Sequence, residues 1–487
     1  MIIAGAGSRE AIHRAADRVL LIQPDGLRRT GSELEARVGG LARALERHRL
    51  GRRRVGLWYW NSAVAVEAHL AVEWIGATRV PVDPGAPPAE AAAVFRAAGV
   101  DGVLVDVAHA EGAPAGALVH DEDQPLAAPG PLEPVAVPPE TVALLYPRMV
   151  AEGEFLAVPM SSANWAACMD VNASLYRSGG YGPGFGADEC FLTAQQLMHG
   201  TGLMGTFPFL HMGLPQVVMH SFDAAQVVET ALRHRVTATF FVPGMVTRLT
   251  EVVAESGQAV APPLRRIVYG GAPIAEDELR RAVQVLGPVL VQVYGRFEGG
   301  WPLAVLGVEE HRAIARGHPS LGRSCGRPIP QTELRIRPVP SEPEGHGELC
   351  VRNAMVVGEA ADPDGWSALG DLAWLDDDGY LYLGGRLDGM INSGSYHVYP
   401  REVEDAMAAV PAVEAALVRG EPDPTWGQAI TAYIVPSPAA PENLLDEVRQ
   451  ACNRRLARYK IPKRFHLVRR LEDVPAPASP AGSESGA

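Results

Sequence analysis

The sequence predicts an α/β protein: a large N-terminal domain of helix-covered sheets, followed by a small C-terminal α+β domain. Three observations carry that expectation. Short apolar runs alternate with helical patterns through most of the chain, the rhythm changes to closely spaced strands and turns past Ile329, and a compact helix–strand–strand–helix unit follows Asp388. Alternation of strand and helix favours parallel sheets, because each crossover returns the chain to the same end of the sheet.

Arg54 to Trp60 is a short apolar run closed by Asn61-Ser62, which reads as a buried strand with a turn behind it. From Val64 to Ile75 small and apolar residues recur at helical spacing, and Gly76 stops the helix. Thr78 to Val82 is a strand again, ended by Asp83-Pro84-Gly85. The same rhythm returns at Val103 to Asp106, Gln216 to His220, Thr237 to Val242, Arg266 to Tyr269 and Val289 to Tyr294. Past Ile329, Glu333 to Arg337 and Glu348 to Arg352 read as strands. Trp374, the turn Asp376-Asp377-Asp378-Gly379 and Tyr380 to Leu383 then read as a hairpin. The C-terminal unit is expected to hold a helix from Pro400 to Ala409, strands from Val413 to Arg419 and Ala429 to Val435, and a helix from Glu442 to Tyr459. The domains are thus placed at 1–387 and 388–473. Residues 474–487 are Pro, Ala, Ser, Gly and Glu, cannot offset their ordering entropy, and are expected to be disordered.

At 487 residues the chain exceeds the size at which a single core stops growing, so at least two domains are required. Its net charge of −14 argues against nucleic acid or an anionic membrane surface as a general partner, because both need a basic face. A small molecule or a protein partner fits better. Cys168, Cys190, Cys325, Cys350 and Cys452 are scattered and form no CxxC pair or ligand cluster, which suits a reduced, cytoplasmic protein. Neither a secretory leader nor a membrane span of about 18 apolar residues is read from the sequence.

Several segments carry a family resemblance in combination. They are Val80-Pro81-Val82-Asp83-Pro84, Met198-His199-Gly200-Thr201-Gly202, Arg235-Val236-Thr237, Tyr269-Gly270-Gly271-Ala272-Pro273, Tyr294-Gly295-Arg296-Phe297-Glu298, Gly347-Glu348-Leu349, Gly370-Asp371-Leu372, and the run from Gly385-Arg386-Leu387-Asp388 through Tyr399-Pro400-Arg401-Glu402. In this order they resemble the adenylate-forming enzymes, the superfamily of acyl-CoA synthetases, luciferases and peptide-synthetase adenylation domains. The likeness runs from Val55 to Arg470. It implies a large adenylate-forming domain and a small hinged one. Gln195-Gln196-Leu197-Met198-His199 offers no aspartate to hold a substrate amine, so the segment is similar to that of acyl- and aryl-CoA ligases and implies a fatty or aromatic acid.

The resemblance also implies roles. Gly270, Gly271, Ala272 and Pro273 would bring backbone close to an adenine edge, since glycines permit close approach. Tyr294, beside Gly295, would stack on adenine, and Glu298 would hold a magnesium ion. Asp371 would accept from both ribose hydroxyls and Arg386 would contact ribose or the α-phosphate. Asp388 would be the hinge about which the small domain turns. His199 would border the acyl pocket and act in catalysis, and Trp301 would form the pocket floor. Each residue also has a plainer reading: a structural turn for the glycines, a solvated carboxylate for Glu298, an exposed ion pair for Asp371 and Arg386, and core packing for His199 and Trp301.

Two elements of the family pattern are missing. Where it has a Gly/Ser/Thr-rich phosphate loop with a lysine, this chain reads Tyr146-Pro147-Arg148-Met149-Val150-Ala151-Glu152-Gly153-Glu154. Such loops work through exposed backbone N–H groups, hydroxyls and positive charge. Two like charges about 4 Å apart repel by roughly 4 kcal/mol at an effective dielectric of 20, so two acids facing phosphate would disfavour it. Phe297 also stands where the family has a threonine and cannot donate to a phosphate oxygen. The second missing element is the C-terminal lysine, whose place falls near Ala481.

Three functions stay open. The first, which is favoured, is an acyl- or aryl-CoA ligase-like enzyme with altered acid activation, acting on the acid or its adenylate. It would use an adenosine nucleotide (ATP, AMP or an acyl-adenylate), magnesium, and CoA or a carrier thiol. The second is a non-catalytic pseudo-ligase that binds a ligand or supports a carrier or biosynthetic partner. The third is an ordinary ATP-dependent ligase whose two missing functions are relocated.

Overall fold

A computed structural model describes residues 1–474 except 124, 152–153, 257–263, 273, 275, 341, 358–361, 363, 388, 395, 439 and 472–473. Pro273, Asp388 and nearly all of the expected tail lie outside the described residues.

The protein is a mixed α/β structure with a large N-terminal lobe and a small C-terminal one. Two sheets build most of the large lobe. One has six strands in the order Glu154–Ser161, Val142–Ala151, Thr78–Pro81, Arg54–Trp58, Gly102–Val105, Leu118–Val119, parallel except for the first pair. The other has nine. Its six central strands, Leu290–Arg296, Arg266–Gly270, Ala238–Phe241, Phe191–Thr193, Gln216–Val218 and Val19–Ile22, run parallel, and antiparallel strands close both edges. Mixed sheets of this kind follow when helical crossovers supply the centre and hairpins the rims.

The helix Ala63–Trp74 shows how the two sheets share one core. Every residue of it is buried, Glu67 and Glu73 included, which suits a helix packed on all sides. Its carboxylates are compensated: Arg37 Nε donates to Glu67 at 2.7 Å, and Arg79 lies 3.5 Å from Glu73. Ser62 caps the helix start by accepting from the Ala65 N–H.

A four-stranded antiparallel sheet follows, ordered Glu333–Pro338, Gly347–Arg352, Ser367–Leu375, Leu381–Arg386. The small lobe has its own five-stranded sheet, in which Ile391–Ser393, Tyr396–Val398, Val413–Asp423, Gly427–Pro436 and Arg464–Leu467 are covered by the helices Pro400–Ala408 and Leu444–Arg455. Its core is separate, built on Val398, Val403, Ile430, Ile434 and Val448.

Two differences from the sequence expectation matter for the site. The helix expected to reach Tyr459 stops at Arg455: Leu456 is extended (φ −121°, ψ 147°), and a short 3-10 turn follows at Arg458–Lys460. The break carries Tyr459 and Lys460 toward the large lobe. The segment that replaces the phosphate loop also forms two long antiparallel strands, with Tyr146 opposite Val158 and Arg148 opposite Leu156. Its tip at 152–153 lies outside the described residues. A strand pair directs backbone groups along its ladder rather than around an anion.

Gly326 gives a direct test of the packing that holds the 324–328 segment against the nine-stranded sheet. It has φ +88°, and a Cβ there would lie 2.1 Å from the Val305 carbonyl carbon. Gly379, at φ +77°, has nothing within 4 Å. Gly379→Ala should therefore lower unfolding free energy by about 1 kcal/mol, the left-handed penalty alone, and Gly326→Ala by about 2 kcal/mol or more. Urea unfolding measures both; equal losses would show that the Val305 contact is not tight.

Candidate active site

Neighbouring parallel strands Arg266–Gly270 and Leu290–Arg296 end at a cleft of about 510 Å³ between the two lobes. A position beyond the carboxyl ends of parallel strands is where open α/β sheets hold ligands. The cleft falls within the usual range for a small-molecule site.

Gly271 and Ala272 follow the first strand and line the cleft, as do Gln292, Tyr294 and Gly295 from the second. Gly271 has φ +90°, which only glycine adopts without strain. Gly270 is not among the lining residues. Its missing side chain matters for sheet packing instead, since a Cβ would lie 2.3 Å from the Val293 carbonyl oxygen. A Cβ at Gly295 would meet the Trp301 ring at 2.3 Å. Trp301 lines the cleft and packs edge-on against Phe240, with ring centroids 5.1 Å apart.

Asp371 is the polar hub. It is 5% exposed, and its two oxygens accept from the Tyr294 hydroxyl at 2.6 Å and from Arg386 Nη1 at 3.0 Å. Arg296 Nε stands 3.8 Å away. Arg386 Nη1 also donates to the Leu369 carbonyl at 2.7 Å, so the guanidinium clips Asp371 in place. A carboxylate offers about four acceptor positions, which leaves room for hydroxyl donors from a ligand.

Glu298 lies close to the Asp371 hub, with Arg296 between the two carboxylates. It is not among the lining residues, and Arg296 sits 3.5 Å from its carboxylate. Arg296 supplies positive charge where the sequence reading placed a metal ion. Phe297 does line the cleft, stacked on Tyr146 with centroids 4.6 Å apart and planes 19° from parallel.

His199 precedes the helix Gly200–His211 and lines both the main cleft and a smaller cavity at the seam between the lobes. Its Nδ1 is 3.4 Å from the Tyr146 hydroxyl and its Nε2 is 3.9 Å from Asp83. Burial pushes its pKa down to about 3, so the ring is neutral at ordinary pH. Cys325 also lines the cleft, and burial, with Asp371 nearby, pushes its thiol up to about 12. It is a poor nucleophile.

Several lining residues escaped the sequence reading. Met160, Thr201 and Met204 come from the apolar wall. Asn392, His397 and Gln428 come from the small lobe, and Asn392 Nδ2 donates to the Gly271 carbonyl at 2.7 Å. No local signal marks them, because they reach the cleft only when the lobes meet. The sequence holds two lysines, Lys460 and Lys463, and neither lines the cleft. No described helix is long and apolar enough to cross a membrane.

A family model described as AMP-binding enzyme matches residues 8–359, and one described as AMP-binding enzyme C-terminal domain matches residues 402–475. The 2-succinylbenzoate–CoA ligase of Enterococcus faecalis is 32% identical over 295 residues, which cover 58% of each chain. The alignment therefore spans less than two thirds of that relative. The solved structure of the amide bond synthetase McbA from Marinactinospora thermotolerans is 27% identical, has a TM-score of 0.84, and covers 95% of this chain and 96% of that one. A double mutant of o-succinylbenzoate CoA synthetase (MenE) from Bacillus subtilis, bound with its product analogue OSB-NCoA, is 26% identical, with a TM-score of 0.82 and coverage of 96% and 94%.

The buried imidazole has a consequence for stability. With a folded pKa of about 3 and an ordinary value near 6.5, the unfolded chain binds a proton in that window that the folded chain refuses. Stability should fall as pH drops from about 6.5 toward 3, by up to about 1.4 kcal/mol per pH unit from this group alone. In His199→Gln the pH slope should be shallower by that amount. Urea unfolding at stepped pH reads the difference, and identical slopes would place His199 in contact with solvent.

Proposed function

The chain belongs to the AMP-binding enzyme family, and from that premise we propose that it is an acid–thiol ligase-type enzyme acting on a fatty or aromatic acid through the acyl-adenylate. Its grip on the outer phosphates of ATP is weakened or lost. The single observation that carries this reading is the cleft itself. Its wall combines Gly271, Tyr294 and the Asp371–Arg386 pair with an apolar surface of Met160, Met204 and Trp301, and its cations are arginines (Arg296, Arg323, Arg386) with no lysine among them.

The residues present suit an adenosine group. Gly271 lets backbone approach a flat ring, the Tyr294 ring lies beside it, and Asp371 keeps acceptor positions for ribose hydroxyls. Bound there, an acyl-adenylate brings a carbonyl activated by a good leaving group. The protein's part is then to orient it, exclude water and receive an acceptor. Asp371 and Arg386 hold the nucleotide end. Trp301 and the two methionines cover the acyl body, where soft thioethers adapt to an aromatic or aliphatic chain. His199, neutral and buried, offers a hydrogen-bonding nitrogen without charge. The acceptor is CoA or a carrier thiol by family likeness. The amide bond synthetase among the structural relatives extends the choice to an amine.

The metal fits less well. Arg296 already stands 3.5 Å from the Glu298 carboxylate, so no step is assigned to magnesium there. The stacked Tyr146 and Phe297 rings occupy the cleft wall beside the 142–161 strand pair, and neither ring matches a triphosphate electrostatically. This supports altered activation over a relocated phosphate site.

Calorimetry with AMP, a non-hydrolysable acyl-sulfamoyl adenosine and ATP tests the reading. Binding of the first two, with ATP at least about tenfold weaker than the acyl-sulfamoyl compound, is the expected outcome. Pyrophosphate exchange at ordinary ligase rates would instead establish full activation, and indifference to all three would favour a binding or scaffolding role. Asp371→Ala should weaken AMP about tenfold or more, since hydrogen bonds to a charged group are worth about 1.5–3 kcal/mol. Unchanged AMP affinity in that variant would move the ribose away from Asp371.

A further inference from the structure

The seam between the lobes holds charges that the cleft does not use. Lys460, in the small lobe, is 5% exposed. Its ammonium donates to Glu402 at 2.6 Å, on the helix Pro400–Ala408 of the same lobe, and to Glu90 at 2.7 Å, on the helix Pro88–Ala97 of the large lobe. All three side chains are more than nine-tenths buried.

A buried ammonium needs a counter-charge, and Glu402 already supplies one within the small lobe. A second carboxylate adds negative charge to a cluster that has Asp83 nearby. Burial pushes Asp83 up to about 6 and Glu402 up to about 7, while the Lys460 ammonium favours their charged forms. Glu402 meets Lys460 from within its own lobe, whereas Glu90 reaches it from the other lobe. What Glu90 adds is a bond across the seam.

The surroundings match that role. Tyr459 stacks on Tyr396 at 4.3 Å, and His199 of the large lobe meets Tyr396 edge-on at 4.3 Å. Asn392, with its bond to the Gly271 carbonyl, is another polar tie between the lobes. His397 lines both the seam cavity and the main cleft.

We propose that Glu90 is a positioning residue: through Lys460 it holds the small lobe in the orientation in which Asn392, His397 and Gln428 complete the cleft. Glu90 lines the seam cavity but not the cleft, so it acts through another residue and not on substrate. Its effect on acyl transfer rests on the function proposed above. Its effect on lobe orientation does not.

The test measures orientation without any nucleotide. Spin labels on exposed Arg281→Cys and Gln450→Cys, with the half-exposed Cys325 changed to serine, report the interlobe distance by pulsed electron resonance. The unmodified seam should give one narrow distribution. Glu90→Ala, and Glu90→Gln, which keeps the shape but removes the charge, should each raise the ratio of displaced to seated small lobe about tenfold or more. Glu90→Asp should restore most of the seated population. An unchanged distribution in both the alanine and glutamine variants would overturn the proposal, whether or not the protein binds adenosine ligands.

Discussion

One buried carboxylate ties the candidate site together. Asp371 lies on the third strand of the four-stranded sheet, Tyr294 on a strand of the nine-stranded sheet, and Arg386 on the strand leading out toward the small lobe. Removing a carboxylate from water is costly unless it is paired and hydrogen-bonded, so the position of Asp371 demands all its partners at once. Those partners in turn fix the spacing between two sheets that have no strands in common. The cleft is the space left when that requirement is met.

The chemistry of the cleft follows from what borders it. Where a phosphate loop would offer open backbone donors, two paired strands and a stacked Tyr146–Phe297 face present aromatic surface. Arg296 stands between the carboxylates of Glu298, at 3.5 Å, and Asp371, at 3.8 Å. The cations that remain on the wall are the arginines Arg296, Arg323 and Arg386.

The seam is the second organising feature. Burying Lys460 between Glu90 and Glu402 converts a lobe contact from a sliding apolar surface into a directional one, because a charge-assisted hydrogen bond has a preferred length and angle. Aromatic contacts at His199, Tyr396 and Tyr459 then pack around a geometry already set.

Much of the architecture was readable from the amino-acid order. Strand and helix periodicity located the parallel strands, the 376–379 turn and the small α+β unit, and family-like motifs singled out Gly271, Tyr294, Asp371, Arg386 and Trp301, all of which line the cleft. These features rest on local patterning, where propensity and glycine placement act within a few residues. Other features were not local. The long strands at 142–161, the break at Leu456 and the bond from Lys460 to Glu90 depend on burial and on partners brought from other elements, 370 positions away in the last case. Sequence alone determined which chemical groups are available and the elements that carry them. Only tertiary packing decided which of those groups face the cleft and which neutralise one another, because the cost of burying a charge is set by neighbours that the chain order does not name.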